Sequence, residues 1–216
     1  MSEGEINNIY EALPQGQVKS LVILLHGLGS NGQDLISLAP YFAAQLPGAV
    51  FVSPDAPFVC DMVPPGYPNS YQWFSLQDRN PDKMRTEIET AAPILQKFIA
   101  DQIEKYQIPA NKTALVGFSQ GAMISLYAAP RYPETLAGVL GYSGSMIGEA
   151  GPNKIPVRLI HGQADDVVPV EAYAHARSML ERSGFEVSGY TTPGLSHSID
   201  EAGIKSGAEF LKSVLL

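Results

Sequence analysis

Gly117-Phe118-Ser119-Gln120-Gly121 joins two apolar runs of different character. Before it, Thr113-Ala114-Leu115-Val116 is short and reads as a buried strand. After it, Ala122-Met123-Ile124-Ser125-Leu126-Tyr127-Ala128-Ala129 is apolar at nearly every position, as in a helix packed under a sheet. A strand-to-helix turn this tight has no room for side chains at its flanks. Glycine there lets the backbone close and lifts the serine hydroxyl out at the top of the sheet. The same five residues would also make an ordinary glycine-rich turn, so the rest of the chain has to decide.

Upstream, Leu21-Val22-Ile23-Leu24-Leu25 is apolar without a break, the signature of a strand covered on both faces in a parallel sheet. It runs into His26-Gly27-Leu28-Gly29-Ser30-Asn31-Gly32. This loop can lead into a helix capped by Asn31, or its glycines can leave backbone N–H groups facing a bound oxyanion. A weak edge strand is expected over Ile6–Leu13, a helix over Asp34–Leu46 with an irregularity at Pro40, and a strand over Ala49–Val52. Residues 58–81 lose all periodicity and carry Tyr67, Tyr71, Trp73 and Phe74. A long irregular aromatic segment in a compact domain fits the wall of a ligand pocket, and Trp73 and Phe74 are the expected wall residues.

Asp82–Tyr106 has helical spacing, with Pro93 expected to kink it or to start a second segment. Further strands are expected over Leu136–Tyr142, Val157–His161 and Glu186–Thr192, with helices over Val170–Ser183 and Ile204–Leu216. Alternating strands and helices give an α/β fold around a mostly parallel sheet with helices on both faces. At 216 residues with no internal repeat, the chain reads as a single domain, residues 1–216.

Composition narrows the function. The chain is 45% hydrophobic and 17% charged, and no apolar run is long enough to span a bilayer, so stable membrane insertion is not expected. A formal charge of −8 without a Lys/Arg cluster argues against nucleic acid. Met1-Ser2-Glu3-Gly4-Glu5 is acidic and unlike a secretory signal, and Cys60 is the only cysteine, which fits a reducing cytoplasm. Cys60 lies in no glycine elbow and reads as a packing or loop residue. No HExxH, paired helical histidines or cysteine cluster suggests a metal, and no GxGxxG after a strand or GxxxxGK[ST] suggests a nucleotide cofactor. The expected cofactor is none, and the expected partner is a small ester or acyl substrate. Exposed aromatics in the long loop leave room for a homodimer.

A serine hydroxyl needs a base, usually histidine, which a carboxylate orients. On an elbow of this type the partners follow in the order serine, acid, histidine. Of the four histidines, His26 and His161 end strands and read as bracing residues, and His175 lies in mid-helix. His197, in the loop after the last strand, is the expected base. The acid should come from the end of Val157–His161, where Asp165 and Asp166 stand side by side and physics alone does not choose between them.

These motifs resemble the phospholipase/carboxylesterase family of α/β-hydrolases, which includes acyl-protein thioesterases. The resemblance rests on Leu24–Gly29 with Asp34, Tyr71–Phe74, Gly117–Ala122, His161-Gly162 through Asp165 to Val168-Pro169, and Gly194–Ser198, in that order over nearly the whole chain. It implies Ser119 as nucleophile, Asp165 as orienter and His197 as base, with an oxyanion hole from the backbone N–H groups of Leu28 and Gln120. Ser75 stands where relatives often carry Asp, and Asp166 where many carry Pro. The implied activity is hydrolysis of carboxylic esters through an acyl-enzyme in an α/β-hydrolase fold; with no inserted cap domain, an open, shallow site suited to short- to medium-chain esters is expected. Thioester or lysophospholipid hydrolysis would use the same residues.

Overall fold

A computed structural model describes residues 4, 6, 8–64 and 66–216. Parts of the acidic Met1–Glu5 segment and of the expected Ile6–Leu13 strand lie outside the described residues. In chain order the elements are β1 (Ile9–Ala12), β2 (Ser20–Leu25), α1 (Gly32–Ile36), α2 (Ala39–Ala43), β3 (Ala49–Pro54), β4 (Phe58–Val59), β5 (Tyr71–Gln72) and α3 (Pro81–Tyr106). They continue with β6 (Thr113–Phe118), α4 (Gln120–Ala128), β7 (Gly138–Tyr142), β8 (Val157–Gly162), α5 (Glu171–Arg182), β9 (Val187–Thr192) and α6 (Glu201–Leu215).

The unbroken apolar run of β2 is buried at every position because the strand lies inside a 7-stranded sheet of order β1-β3-β2-β6-β7-β8-β9. All neighbours in this sheet are parallel except β1, which runs antiparallel along the β3 edge. Side chains alternate between the two faces, as the strand period of two demands. Leu21, Ile23, Leu25, Leu115 and Val139 meet α3, α4 and α5 on one face. Val22, Leu24, Val116, Leu140 and Ile160 meet α1, α2 and α6 on the other. All nine residues of α4 are buried, which accounts for its lack of a polar stripe. The parallel strands all point the same way, so the loops after β2, β6, β8 and β9 emerge along one edge.

Two local expectations change. The single helix expected over Asp34–Leu46 is two short ones, and Pro40 sits in the first turn of α2, where its missing N–H leaves no bond unmade. Asn31 does cap α1, accepting from the Asp34 N–H at 3.0 Å. By contrast, α3 runs unbroken through Pro93 for 26 residues. Its length and its buried face, which includes Ile88, Leu95 and Ile99, outweigh one lost backbone bond. The segment after β3, expected to be wholly irregular, contains the antiparallel pair Phe58↔Gln72 and Val59↔Tyr71.

Pro93 is exposed, so its effect on α3 is separable from core packing. Pro93→Ala restores a backbone donor inside the helix and should raise the unfolding free energy by about 1–3 kcal/mol in urea titration. A lower midpoint would show that α3 packs correctly only when bent at this position.

Candidate active site

Ser119 occupies the sharp turn between β6 and α4 with φ 54° and ψ −118°, a region that non-glycine residues seldom enter. Neighbouring glycines make this conformation attainable. A Cβ at Gly121 would lie 1.8 Å from the Leu25 carbonyl oxygen, and one at Gly117 would lie 2.3 Å from the Gly121 oxygen. The Ser119 N–H donates to Tyr142 O at 2.9 Å, while Ser119 O accepts from Ala122 and Met123 at 3.0 and 3.1 Å. The backbone is therefore held on both sides, and the Ser119 side chain faces a cavity.

Across the sheet edge, His197 Nδ1 lies 2.8 Å from Asp165 Oδ2. The other carboxylate oxygen accepts the N–H groups of Val167 and Val168 at 3.0 and 2.8 Å. Burial pushes the Asp165 carboxyl up, but the bonds from His197 and the two amides outweigh it and hold the group below its ordinary value. An ionised Asp165 accepts Nδ1–H and leaves Nε2 of His197 as the basic nitrogen. Asp166 is exposed, so of the two adjacent aspartates it is Asp165 that reaches His197. The close approach of the two loops requires Gly162: a Cβ there would be 2.2 Å from Leu195 O. The Phe118 ring packs on the His197 imidazole with centroids 4.8 Å apart. His197 and Ser119 line the same cavity, and Ser119 Oγ makes no hydrogen bond among the described residues.

The loop after β2 also borders the cavity. Neither the Leu28 N–H nor the Gln120 N–H has a partner among the described residues, and Leu28 lines the cavity beside Ser119. His26 is fully buried; it donates from Nδ1 to Gly27 O at 2.7 Å and accepts the Ala56 N–H at Nε2 at 2.9 Å. Burial holds its imidazole below the ordinary value, against the upward pull of the Gly27 bond and of Asp55 and Asp34. His161 is also buried and bonds Val168 O through Nε2 at 2.8 Å, steadying the Asp165 turn. His175 is exposed on α5.

Trp73 and Phe74 do not form the cavity wall that their loop suggested. Both are 1% exposed and neither lines the cavity. Trp73 Nε1 donates to His26 O at 3.0 Å, so the indole sits beneath the β2 loop and its bulk joins the core. The segment is fastened further by Gly29 N–H to Tyr71 O at 2.8 Å and Ser70 Oγ to Gly29 O at 3.0 Å. The Gln120 side chain completes the attachment, accepting Trp73 N–H at 2.9 Å and donating to Phe74 O at 2.7 Å. That role escaped the sequence reading, which assigned Gln120 only a backbone contact.

The cavity itself measures ≈ 420 Å³ and is walled by Leu76, Met84, Met123, Val168 and Ala172, with Arg79 also lining it. Leu76 and Arg79 fall within the 58–81 segment expected to wall a pocket. Met84, Met123 and Ala172 did not stand out, and Val168 was signalled only by the apolar Val167-Val168-Pro169 run after the paired aspartates.

This sheet, with a strained serine turn and a histidine–aspartate pair on adjoining strand ends, is the α/β-hydrolase fold. The Phospholipase/Carboxylesterase family profile matches residues 9–215, and the chain belongs to that family of serine-type ester hydrolases. It is 27% identical to the esterase YpfH of Escherichia coli over 92% of this chain and 84% of that protein. It is 29% identical to acyl-protein thioesterase 1 of Debaryomyces hansenii over 91% of this chain and 92% of that one. The crystal structure of esterase PE8 superposes with a TM-score of 0.89 at 36% identity, covering 98% of this chain and all (100%) of that one.

Two outcomes follow from the supports around the cavity. Gln120→Ala leaves a buried N–H and a buried carbonyl unpaired and should destabilise the fold by about 2–5 kcal/mol; a loss below about 1 kcal/mol in urea would mean the loop is held without it. Stability should also fall as the pH drops. A buried His26 with a lowered pKa binds its proton less readily than the unfolded chain, so its contribution is complete above about 6.5 and is lost progressively below it. The contribution of Asp165, whose pKa is also lowered, is lost only at more acid pH, below the ordinary carboxylate value. A urea midpoint unchanged between pH 7.5 and 5 would contradict the assignment to His26.

Proposed function

We propose that the protein hydrolyses short- to medium-chain carboxylic esters through an acyl-enzyme on Ser119, with His197 as general base, Asp165 as its orienter, and the Leu28 and Gln120 amides as the oxyanion hole. The observation that carries this reading is the 2.8 Å His197–Asp165 bond facing the same cavity as the strained Ser119. The histidine tautomer set by Asp165 leaves Nε2 to take the Ser119 proton as Oγ attacks the substrate carbonyl. The unpaired Leu28 and Gln120 N–H groups then receive the developing negative charge, each donor being worth about 3 kcal/mol in comparable sites. Collapse of the tetrahedral intermediate expels the alcohol, which takes the proton from His197. Water, activated by the same nitrogen, attacks the acyl-enzyme, and the acid leaves while Ser119 regains its proton.

We read residues 1–216 as one domain working without a cofactor, and the acidic balance and single buried cysteine as fitting a reducing cytoplasm. No helix among the described residues is long and apolar enough to cross a membrane. The similarity to an acyl-protein thioesterase over nine-tenths of both chains supports a second reading, thioester or lysophospholipid hydrolysis by the same residues.

Wild type should hydrolyse p-nitrophenyl esters over a range of chain lengths, and Ser119→Ala should lower turnover roughly 10⁴-fold or more. Activity surviving that substitution would end the serine reading. Matched oxygen and sulfur esters of one acyl group separate the two substrate classes, because a strong preference for the thioester would favour the second.

A further inference from the structure

Charge is distributed unequally around the cavity. Among the described residues, Arg79 is its only lining side chain with a permanent charge. Every other arginine donates to a partner: Arg85 to Asp82, Arg131 to Tyr127 O, Arg158 to Ser206, Arg177 to Glu181 and Arg182 to Ser178 O. Arg79 alone has neither hydrogen bond nor ion pair among the described residues. Its nearest carboxylates in sequence are engaged elsewhere, since Asp78 accepts the Asn80 N–H at 2.9 Å and Asp82 pairs with Arg85 at 3.0 Å.

A second lobe of ≈ 360 Å³ adjoins the cavity and is lined by His197, Phe118, Ser198 and Ile199, but not by Ser119. Its charged lining side chain is Asp34, whose carboxylate accepts Ser30 Oγ at 2.8 Å and Asn31 Nδ2 at 3.1 Å. The departing alcohol takes its proton from His197, which lines both lobes; in the proposal below the alcohol occupies the lobe that Ser119 does not line. The acyl chain then takes the larger lobe, which Leu76, Met84, Met123 and Arg79 line together with Ser119.

Resting on the serine-esterase reading above, we propose that this site takes esters whose acyl chain ends in a carboxylate, hemi-esters of dicarboxylic acids, with Arg79 binding the distal anion. The guanidinium fork matches a carboxylate in two parallel hydrogen bonds. Arg79 is exposed just ahead of α3, so the anion keeps part of its hydration while the methylenes cover the apolar wall. This avoids the penalty of burying a charge. The opposite sign in the alcohol lobe disfavours the same anion there.

The test compares the 4-nitrophenyl hemi-ester of adipic acid with 4-nitrophenyl hexanoate, which has the same acyl length without the charge. A third substrate, 4-hexanoyloxybenzoate, carries its carboxylate on the alcohol side. Arg79→Gln should lower the adipate-to-hexanoate ratio of kcat/KM by roughly threefold to fivefold at low salt, mainly through KM, as for a solvent-accessible ion pair. Arg79→Lys should retain part of the ratio, and high salt should lower it in the wild type. The benzoate-to-hexanoate ratio should not respond to Arg79. An adipate ratio equal in wild type and Arg79→Gln overturns the proposal, as does an Arg79 dependence for the alcohol-side anion. A wild type that turns over hexanoate with no Arg79-dependent ratio rejects this inference alone, whereas one that hydrolyses neither ester rejects the esterase reading beneath it.

Discussion

The turn at Ser119 depends on how closely α4 approaches β2. The helix starts so near that strand that the Leu25 carbonyl occupies the space where a side chain at position 121 would begin. Only glycine allows the contact, and Ser119, two residues earlier, takes a positive φ at the turn that brings the helix there. Such a backbone is strained by about 1–3 kcal/mol and persists when its surroundings over-determine it. Here the Tyr142 carbonyl and the first turn of α4 hold it on either side. Strain, helix start and hydroxyl presentation meet at this one turn.

From that turn the supports spread outward in two directions. Towards β8 and β9, the absence of a side chain at Gly162 brings the histidine loop down onto the aspartate loop, and two backbone amides hold the carboxylate that His197 meets. Towards β2, the aromatic segment at Tyr71–Phe74 is fastened beneath the glycine loop by Trp73 and to the elbow by Gln120. A long segment with little regular structure thus acts as scaffold, because its buried backbone groups find partners on two neighbouring loops. Only its distal part, at Leu76 and Arg79, reaches the cavity.

Electrostatics follow the same pattern of local satisfaction. Asp165 is buried yet stays ionised because donors surround it, while His26 stays neutral because burial disfavours the imidazolium and its Nε2 already accepts the Ala56 N–H. Two histidines at strand ends brace loops, and a third at a loop tip faces the cavity. The difference lies in burial, not in residue type.

The sequence by itself determined the parallel α/β architecture, through the unbroken apolar runs at Leu21–Leu25 and Thr113–Val116 and the fully apolar helix after Gly121. It also marked Ser119 and His197, because the spacing of a glycine elbow and the order of strand ends are local properties. It could not separate Asp165 from Asp166 on physical grounds, since which of two adjacent loop carboxylates meets a histidine 32 residues away depends on loop packing. It placed Trp73 and Phe74 on a cavity wall when tertiary packing buries them, because aromatic content reports that a residue is buried but not against what. The cavity lining itself comes from the loops after β2, β5, β7, β8 and β9 and from α1, α3, α4 and α5, elements far apart in the chain whose convergence only the folded sheet decides.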